Sequence, residues 1–347
     1  MKQIKNKKEY NKIFFILILI LLIILILSIG IGSVKINFID TFKVLLHNIP
    51  FISEYIDISE ISNSTITIIN NLRLPRILLA CIVGIALATS GSIYQGTLKN
   101  SMADSYTLGI SSGAALGATI SIIFFNGNNV SIFALIISLL VTFLIYVLSS
   151  KAFKFSNTSL ILLGMNINYF LTAIISLLMI LNKDKTDQIL FWTIGSFVSS
   201  SWNKVIISFL IILPCIFVLS KCGKQLNAIS CGEDFAKTVG INTSFVRKFL
   251  IIIVSLITSV AVSFSGIIGF VGLMIPHLCK LLFGGNYKYI ISISSILGAI
   301  FLVLCDTASR TLISPTEIPI GIITSIIGAP YLIYLIINKK KKGELSQ

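Results

Sequence analysis

The chain has 347 residues, of which 55% are hydrophobic and only 12% are charged. A soluble domain would carry roughly a quarter charged residues, so this composition excludes an ordinary soluble protein and indicates a polytopic helical membrane protein. The formal net charge of +14 is attributed to membrane topology and not to nucleic-acid binding, because the cytoplasmic flanks of membrane helices accumulate Lys and Arg.

The first predicted element is a membrane-spanning helix over 13–34. It is too long for the core of a signal peptide and lacks a small-residue cleavage site, so we expect it to be retained. It follows a Lys-rich tail, 1–12, and the chain ends in a second tail, 338–347, which contains four consecutive lysines, 339–342. Both tails are therefore predicted to be cytoplasmic, which requires an even number of spans.

The remaining spans follow from long stretches without charged residues, since a bilayer-spanning helix needs about 20 apolar residues. The polar sequence 126–129 separates two of them as a tight turn. The run 249–279 would measure about 46 Å as one helix, which is too long, so we expect a break at Ser265-Gly266 or at Gly269. The predicted spans, about ten in all, are 13–34, 77–98, 105–125, 130–150, 160–181, 205–220, 248–266, 268–283, 289–305 and 318–338.

This pattern predicts an all-α, polytopic fold that forms a single transmembrane domain over 1–347. A long polar segment, 35–72, is expected on the outer side of the membrane, and a charged loop, 221–248, on the cytoplasmic side. Small residues recur at every fourth position in two of the spans. They are Ala80, Gly84, Ala88, Ser92 and Gly96 in one span, and Gly109, Gly113 and Gly117 in the next. Such stripes allow close helix packing; lining of a substrate path is the alternative interpretation.

Patterns for catalysis and for energy conversion are missing from the sequence. There is no G-x-x-x-x-G-K-[ST] phosphate loop, no H-E-x-x-H and no G-x-S-x-G, and the six cysteines form no C-x-x-C pair. We therefore expect no catalytic residues, no metal site and no cofactor bound by this chain. The acidic residue within a span, Asp306, lies four residues before Arg310, so a local ion pair explains it without a proton relay.

The loop 221–248 contains a short segment with the features of an amphipathic helix. Its charged and terminating residues are Glu233, Asp234, Lys237 and Gly240, in an order that suits the helix dipole and a C-terminal glycine. Phe235 and Val239 are spaced i, i+4 and define an apolar face. Such a helix could bind the bilayer surface or dock on another protein, and both interpretations stay open.

Seven ordered motifs resemble the FecCD-type permeases of ABC importers for iron–siderophores, haem and cobalamin. The motifs extend over about 70–337 and comprise NLRLPRILLACIVGIALATSGSIYQGTLKN (71–100), TLGISSGAALGA (107–118), WTIGSF (192–197), LNAISCGEDFAKTVG (226–240), GFVGLMIPH (269–277), LGAIFLVLCDTASR (297–310) and EIPIGIITSIIGAPYLIYLI (317–336). The chain departs from the family pattern at 101–104, where Pro-Leu-Ala is usual after Asn, and at Lys280, where Arg is common.

The resemblance implies a type II ABC importer permease fold in the cell membrane, with ten helices per subunit and both termini cytoplasmic. It implies a second permease subunit, identical or different, and two ATPase subunits that bind ATP and Mg. It also implies an extracytoplasmic binding protein and contact with membrane lipid, but no nucleic acid. The substrate expected on family grounds is an iron–siderophore chelate, with haem or cobalamin as alternatives. A stand-alone secondary carrier is the alternative from a different class.

The resemblance also implies roles for individual residues. Coupling to the ATPase is expected from Gly232, Glu233, Asp234, Phe235, Ala236, Lys237, Val239 and Gly240, with Phe235 and Val239 as the apolar contact.

Asn157 and Thr158 match the cytoplasmic gate, and the span from about 160 would line the pathway; an ordinary polar turn is the alternative for the pair. Arg73, Arg76 and Arg310 match positions that meet acidic residues of the binding protein; snorkelling at helix ends is the alternative. We expect Arg73 to be the most exposed of the three, because Pro75 separates it from the helix, and Arg310 to be partly engaged by Asp306.

Overall fold

A computed structural model describes residue 4 and residues 6–32, 34, 36–152 and 157–341. Helices joined by short links make up these ranges, and no strand occurs in them. The α-helices are α1 (Lys7–Gly30), α2 (Phe38–His47), α3 (Asn63–Thr67), α4 (Leu74–Thr97), α5 (Ile110–Phe124), α6 (Val130–Ala152), α7 (Asn157–Leu181), α8 (Thr186–Ile194), α9 (Trp202–Lys221), α10 (Gly223–Cys231), α11 (Glu233–Thr238), α12 (Thr243–Ser265), α13 (Val271–Phe283), α14 (Tyr287–Thr311) and α15 (Ile320–Lys341).

The apolar helices coincide with the spans predicted from the sequence. Within the described residues, seven helical units are long and apolar enough to cross a membrane, and three shorter apolar helices accompany them. The shorter ones are α5, α13 and the stretch 320–335 of α15. Each predicted span therefore has its helix, and the prediction of an all-α polytopic fold is confirmed.

Both predicted interruptions of apolar sequence are found. The turn between α5 and α6 contains left-handed residues at 126, 127 and 129. The long run 249–279 breaks after Ser265, because Gly266 has φ +69 and ends α12. A Cβ atom at Gly266 would lie 2.3 Å from the carbonyl oxygen of Trp192, so this position requires glycine both for its backbone conformation and for the close approach.

The described part of the polar outer segment, 36–72, contains helices. It begins with α2 and ends with α3 and a π-helical turn, Ile68–Arg73, which runs directly into α4. The helical unit therefore extends without interruption over Asn63–Thr97. Pro75 does not end this unit: it follows the π-helical turn directly, in the first turn of α4, and the helix continues although Pro contributes no backbone N–H group.

α4 is the central helix, and the small-residue stripe along it is a packing surface. A Cβ atom at Gly84 would lie 2.3 Å from the carbonyl oxygen of Gly298 in α14, and one at Gly96 would lie 2.8 Å from Leu226 Cγ in α10. The glycines of the second stripe pack against α6 in the same way, with Gly117 meeting the backbone of Phe133. Because both stripes are buried within the chain, the packing interpretation is confirmed.

Buried hydroxyl groups add hydrogen bonds between α4 and its neighbours. The pairs are Ser92–Ser294 at 2.7 Å, Ser90–Thr258 at 2.9 Å and Tyr94–Ser255 at 3.1 Å. Polar groups buried in an apolar environment are costly without a partner, and such bonds between membrane helices contribute about 1 kcal/mol each. α4 is thereby fixed to both α12 and α14 along the half of its length that ends at Thr97.

Candidate functional site

Two groups of predicted site residues lie at opposite ends of α4, which is about 36 Å long at 1.5 Å per residue. Arg76 lies in its first turn, beside Arg73 and Arg310, and we call this the arginine end. Gly96, in the last turn, contacts Leu226 of α10, and we call the end formed by α10 and α11 the coupling end, after the predicted but untested role of its residues. The molecule thus has two chemically different ends joined by its most buried helix.

At the coupling end, the predicted amphipathic helix is present as α11. Gly232 precedes it with φ +149, and Gly240 follows it with φ +81, both in the region that favours glycine. The amide of Ile241 donates to the carbonyl oxygen of Ala236 at 2.9 Å and that of Gly240 to Lys237 at 3.0 Å, which closes the helix end as a glycine cap does. The predicted termination at Gly240 is confirmed.

The two sides of α11 differ in exposure. Phe235 and Val239 are 53% and 55% exposed, whereas Ala236 is fully buried beneath them. Asp234 is also exposed and lies 3.6 Å from Lys237 as an ion pair. An exposed Phe–Val pair at the tip of a polar loop is a small apolar contact surface that the described part of the chain leaves uncovered.

Glu233 is held within the chain by an ion pair with Arg247 of α12. The hydrogen bond from Arg247 and its positive charge lower the pKa of Glu233 below its ordinary value. The Arg247 side chain is only 7% exposed, so Glu233 neutralises a guanidinium that would otherwise be buried without a counter-charge. α11 is therefore fixed to the first turns of α12, and Asp234 is the acidic residue of α11 that faces outward.

α10 connects α11 to two other helices at the same end. The side-chain amide of Asn227 donates to Asn286 at 2.8 Å, and Asn227 Oδ1 accepts from the backbone amide of Tyr287 at 2.8 Å. Asn286 is the N-cap of α14, and Leu226 lies against Gly96 of α4. α10 and α11 therefore contact α4, α12 and α14.

At the arginine end, Arg76 is buried and binds two acidic side chains. Its Nε donates to Asp306 at 2.8 Å, and its NH1 donates to both carboxylate oxygens of Glu317 at 3.0 and 2.8 Å. Asp306 is completely buried, whereas the Glu317 side chain is 32% exposed. Arg76 therefore joins α4 to α14 and to the turn that leads into α15.

Arg310 shares Asp306 with Arg76. Its Nε lies 3.1 Å from the second carboxylate oxygen of Asp306, which confirms the local ion pair predicted from the i, i+4 spacing. Its NH1 and NH2 groups donate to the carbonyl oxygens of Ile31 and Ser28 at 3.1 and 3.2 Å. Arg310 is thus engaged both by Asp306 and by the end of α1.

The expectation that Arg73 is the most exposed of the three arginines is wrong. Arg73 is 5% exposed and donates to the carbonyl oxygens of Ile29, Gly30 and Val34. The last carbonyl groups of a helix have no partner within it and carry partial negative charge, so a guanidinium is a favourable ligand for the end of α1. The π-helical turn over 68–73 keeps Arg73 continuous with α4 and directs it to this helix end.

The cluster borders a cavity of about 310 Å³ at the arginine end. Arg73, Arg76, Arg310 and Glu317 contribute its charged wall, and Leu72 and Val198 contribute apolar surface. Three arginines face two carboxylates, so the wall carries an excess of one positive charge. The docking role of the three arginines stays a prediction. Their guanidinium groups are buried and already bind carboxylates or carbonyl oxygens of this chain.

The predicted gate lies at the margin of the described residues. Asn157 is the first residue of α7, and the side chains of Asn157 and Thr158 lie outside the part of the chain that the structure describes. Further along α7, Tyr169 and Phe170 are 71% and 65% exposed. This helix therefore presents a large uncovered aromatic face, and its role in lining a pathway stays a prediction.

Two residues of these sites were missed in the sequence. Glu317 had a local signal, because it is an acidic residue just before an apolar span, but its partner lies more than two hundred positions earlier in the chain. Arg247 had no local signal, because its contact with Glu233 depends on how the loop folds back. Within the described residues, no group of three His, Cys, Asp or Glu side chains lies close enough to hold a metal ion.

The combination of buried helices, a projecting loop helix and a charged opposite end is that of the permease subunit of an ABC importer. The model of the FecCD transport family matches residues 20–338, and the chain belongs to this family. It is 40% identical over 283 residues to YvrB of Bacillus subtilis (strain 168), an ABC transporter permease, with 80% of each chain covered. It is 35% identical to the hemin transport permease HmuU of Yersinia pestis, covering 78% of this chain and 84% of the relative.

A solved structure extends the comparison to three dimensions. An inward-facing metal-chelate type ABC transporter superposes with a TM-score of 0.79 at 32% sequence identity, covering 94% of this chain and 99% of the other. Other relatives are named as permeases for cobalamin, molybdate and iron chelatin. The chain is therefore a multi-pass membrane protein and a permease of an ABC importer, in a family whose members are named for several different substrates.

Proposed function

We propose that this subunit moves a metal chelate, an iron–siderophore complex ahead of haem or cobalamin, into the cytoplasm. The chelate is handed over at the arginine end by an extracytoplasmic binding protein. Two permease subunits enclose the pathway, and two ATPase subunits bind at the coupling end and hydrolyse ATP with Mg, since this sequence has no phosphate loop. Both termini are then cytoplasmic, on the same side as α11. The relatives named for iron chelatin and the metal-chelate type structure support this substrate class.

The observation that carries the proposal is the exposed Phe235–Val239 pair on α11. Its position at the end of a loop that contacts α4, α12 and α14 suits a lever between an ATPase and the membrane helices. Burying such a pair in a groove of the ATPase removes apolar surface from water, which stabilises the contact by about 25 cal/mol per Å². Bilayer binding is the second interpretation of the same surface, and it predicts no effect on ATP hydrolysis.

The test is the variant Phe235→Asp in a complex with the ATPase. A charge placed in a desolvated contact costs several kcal/mol unless it is paired, so we expect loss of ATPase co-purification and of substrate-stimulated hydrolysis. Phe51→Asp is the matched control, because Phe51 is 91% exposed and belongs to the segment between α2 and α3. Wild-type complex yield and hydrolysis in Phe235→Asp would rule out docking through α11.

The substrate is identified through the binding protein. Its ligand, extracted after purification from cells, is expected to be an iron chelate. Uptake of that compound by proteoliposomes that contain permease, ATPase and binding protein would then be measured directly. Recovery of haem, cobalamin or molybdate in place of an iron chelate would reassign the substrate but leave the transport class intact.

A further inference from the structure

The three arginines at the arginine end differ in what binds their guanidinium groups. Arg73 donates to the carbonyl oxygens of α1, and Arg310 is divided between Asp306 and the same helix end. These partners are backbone groups or, in Asp306, a completely buried carboxylate. Exchange of such partners would leave polar groups unsatisfied in the interior, so Arg73 and Arg310 hold the ends of α1, α4 and α14 together.

Arg76 is different because one of its two partners is accessible. Its Nε is bound by the buried Asp306, but its NH1 is bound by Glu317, whose side chain is 32% exposed. Glu317 precedes α15 in the exposed turn 312–317. It borders the cavity of about 310 Å³ that also exposes the arginine wall. A carboxylate from another protein that entered this cavity would compete with the partly exposed Glu317 for NH1 of Arg76.

We infer that Glu317 is an exchangeable partner of Arg76, and that an acidic side chain of the binding protein replaces it when the two proteins dock. The inference rests on the proposed docking of a binding protein at this end, and it names Arg76 as the contact and Glu317 as the group displaced. The excess positive charge of the wall favours an incoming carboxylate, and displacement keeps Arg76 neutralised at every stage. Arg73 and Arg310 act as positioning residues for this exchange.

The exchange has a structural consequence at the start of α15. Glu317 is followed by Ile318, whose amide donates to the carbonyl oxygen of Ser309 at 3.2 Å. Four residues after Glu317, Gly321 packs so closely that a Cβ atom would lie 1.9 Å from the carbonyl oxygen of Ile194. Release of Glu317 removes the ion pair that ties this turn to α4, whereas the contacts of Ile318 with Ser309 and of Gly321 with α8 remain.

The experiment measures association of the binding protein that supports uptake by this permease, using the permease–ATPase complex in nanodiscs at low ionic strength. Glu317→Gln removes the competitor and one negative charge, so we expect association to become faster by about three-fold or more. Glu60→Gln is the matched control, because Glu60 is an exposed acidic residue of the segment between α2 and α3, and it should change the rate far less. Glu317→Asp keeps the charge with a shorter reach and should fall between wild type and Glu317→Gln.

Two further variants separate the exchange from docking itself. Arg76→Gln should slow association, and in the double variant with Glu317→Gln the acceleration should disappear. If Arg76→Gln slows association but Glu317→Gln and Glu317→Asp both match wild type, docking stands and the exchange is wrong. If the triple variant of Arg73, Arg76 and Arg310 to Gln remains folded and associates at the wild-type rate, docking at this end is itself wrong. Size-exclusion profiles identify variants that fail to fold, and Glu317→Asp tests the exchange where Glu317→Gln does not fold.

Discussion

Glu233, the first residue of α11, forms an ion pair with Arg247 in the second turn of α12. The loop helix with the exposed Phe235–Val239 pair is therefore attached by charge to a helix that packs along α4. The pair connects α11 to α12, and α10 connects the same loop to α4 and α14.

Breaking the Glu233–Arg247 pair should weaken coupling without removing the ATPase. A half-exposed pair of this kind contributes about 1 kcal/mol, so we expect Glu233→Gln to reduce substrate-stimulated ATP hydrolysis several-fold while the complex still co-purifies. Glu60→Gln is the control, because Glu60 is an exposed acidic residue of the segment between α2 and α3 and is not one of the coupling residues. The exchanged double variant, Glu233→Arg with Arg247→Glu, should recover coupling; unchanged hydrolysis in Glu233→Gln would exclude the role of the pair.

The same pair predicts how stability depends on pH. Arg247 lowers the pKa of Glu233 from its ordinary value of 4.5, so the contribution of the pair is fully present above pH 4.5 and is lost as pH falls through the lowered pKa. The difference in melting temperature between wild type and Glu233→Gln should therefore be constant from neutral pH to about pH 5 and should shrink only below that. A difference that already changes between pH 7 and pH 6 would contradict this assignment.

Close packing of α4 against α14 should make Gly84 intolerant of any side chain. A Cβ atom there would lie 2.3 Å from the carbonyl oxygen of Gly298, which is backbone and cannot rotate away. Gly84→Ala is expected to cost about 1–3 kcal/mol, measured as a lower melting temperature and a smaller monodisperse fraction. Gly285→Ala, at an exposed position where a Cβ atom would meet nothing within 4 Å, should leave both quantities unchanged.

Arg73 should act on folding more than on recognition. Arg73→Met keeps much of the side-chain length but leaves the carbonyl oxygens of Ile29, Gly30 and Val34 without their donor, and bonds of this charged kind contribute about 1.5–3 kcal/mol each. We expect a marked fall in melting temperature. Association of the binding protein, measured on the fraction that remains folded, should change less than in Arg76→Gln. An unchanged melting temperature with slower association would make Arg73 a direct docking group after all.

The membrane helices could be predicted from the sequence, because spans of about 20 uncharged residues are a local property of the chain. The turn 126–129 and the break at Gly266 could also be predicted, because each depends on local residues that tolerate a left-handed backbone conformation. The same reasoning located α11 and its terminating Gly240.

Partners of charged side chains could not be predicted in this way. Arg73 was expected to be exposed from its position before Pro75, but its ligands are carbonyl oxygens of α1, some forty residues earlier in the chain. Glu317 and Arg76 meet only because α4 and α14 pack together. The hydropathy of a sequence does not indicate which helices pack against each other. Asp306–Arg310 was predicted because both residues lie on one helix, one turn apart.

The central claim is that this permease moves its substrate only when an ATPase drives it through α11. The most direct measurement is uptake of the chelate into proteoliposomes that contain the permease, with and without the ATPase, at fixed binding protein and with ATP enclosed. We predict uptake only with the ATPase, abolished in Phe235→Asp and unaffected when proton and sodium gradients are collapsed. Uptake by the permease alone, driven by either gradient, would contradict the account and identify a secondary carrier.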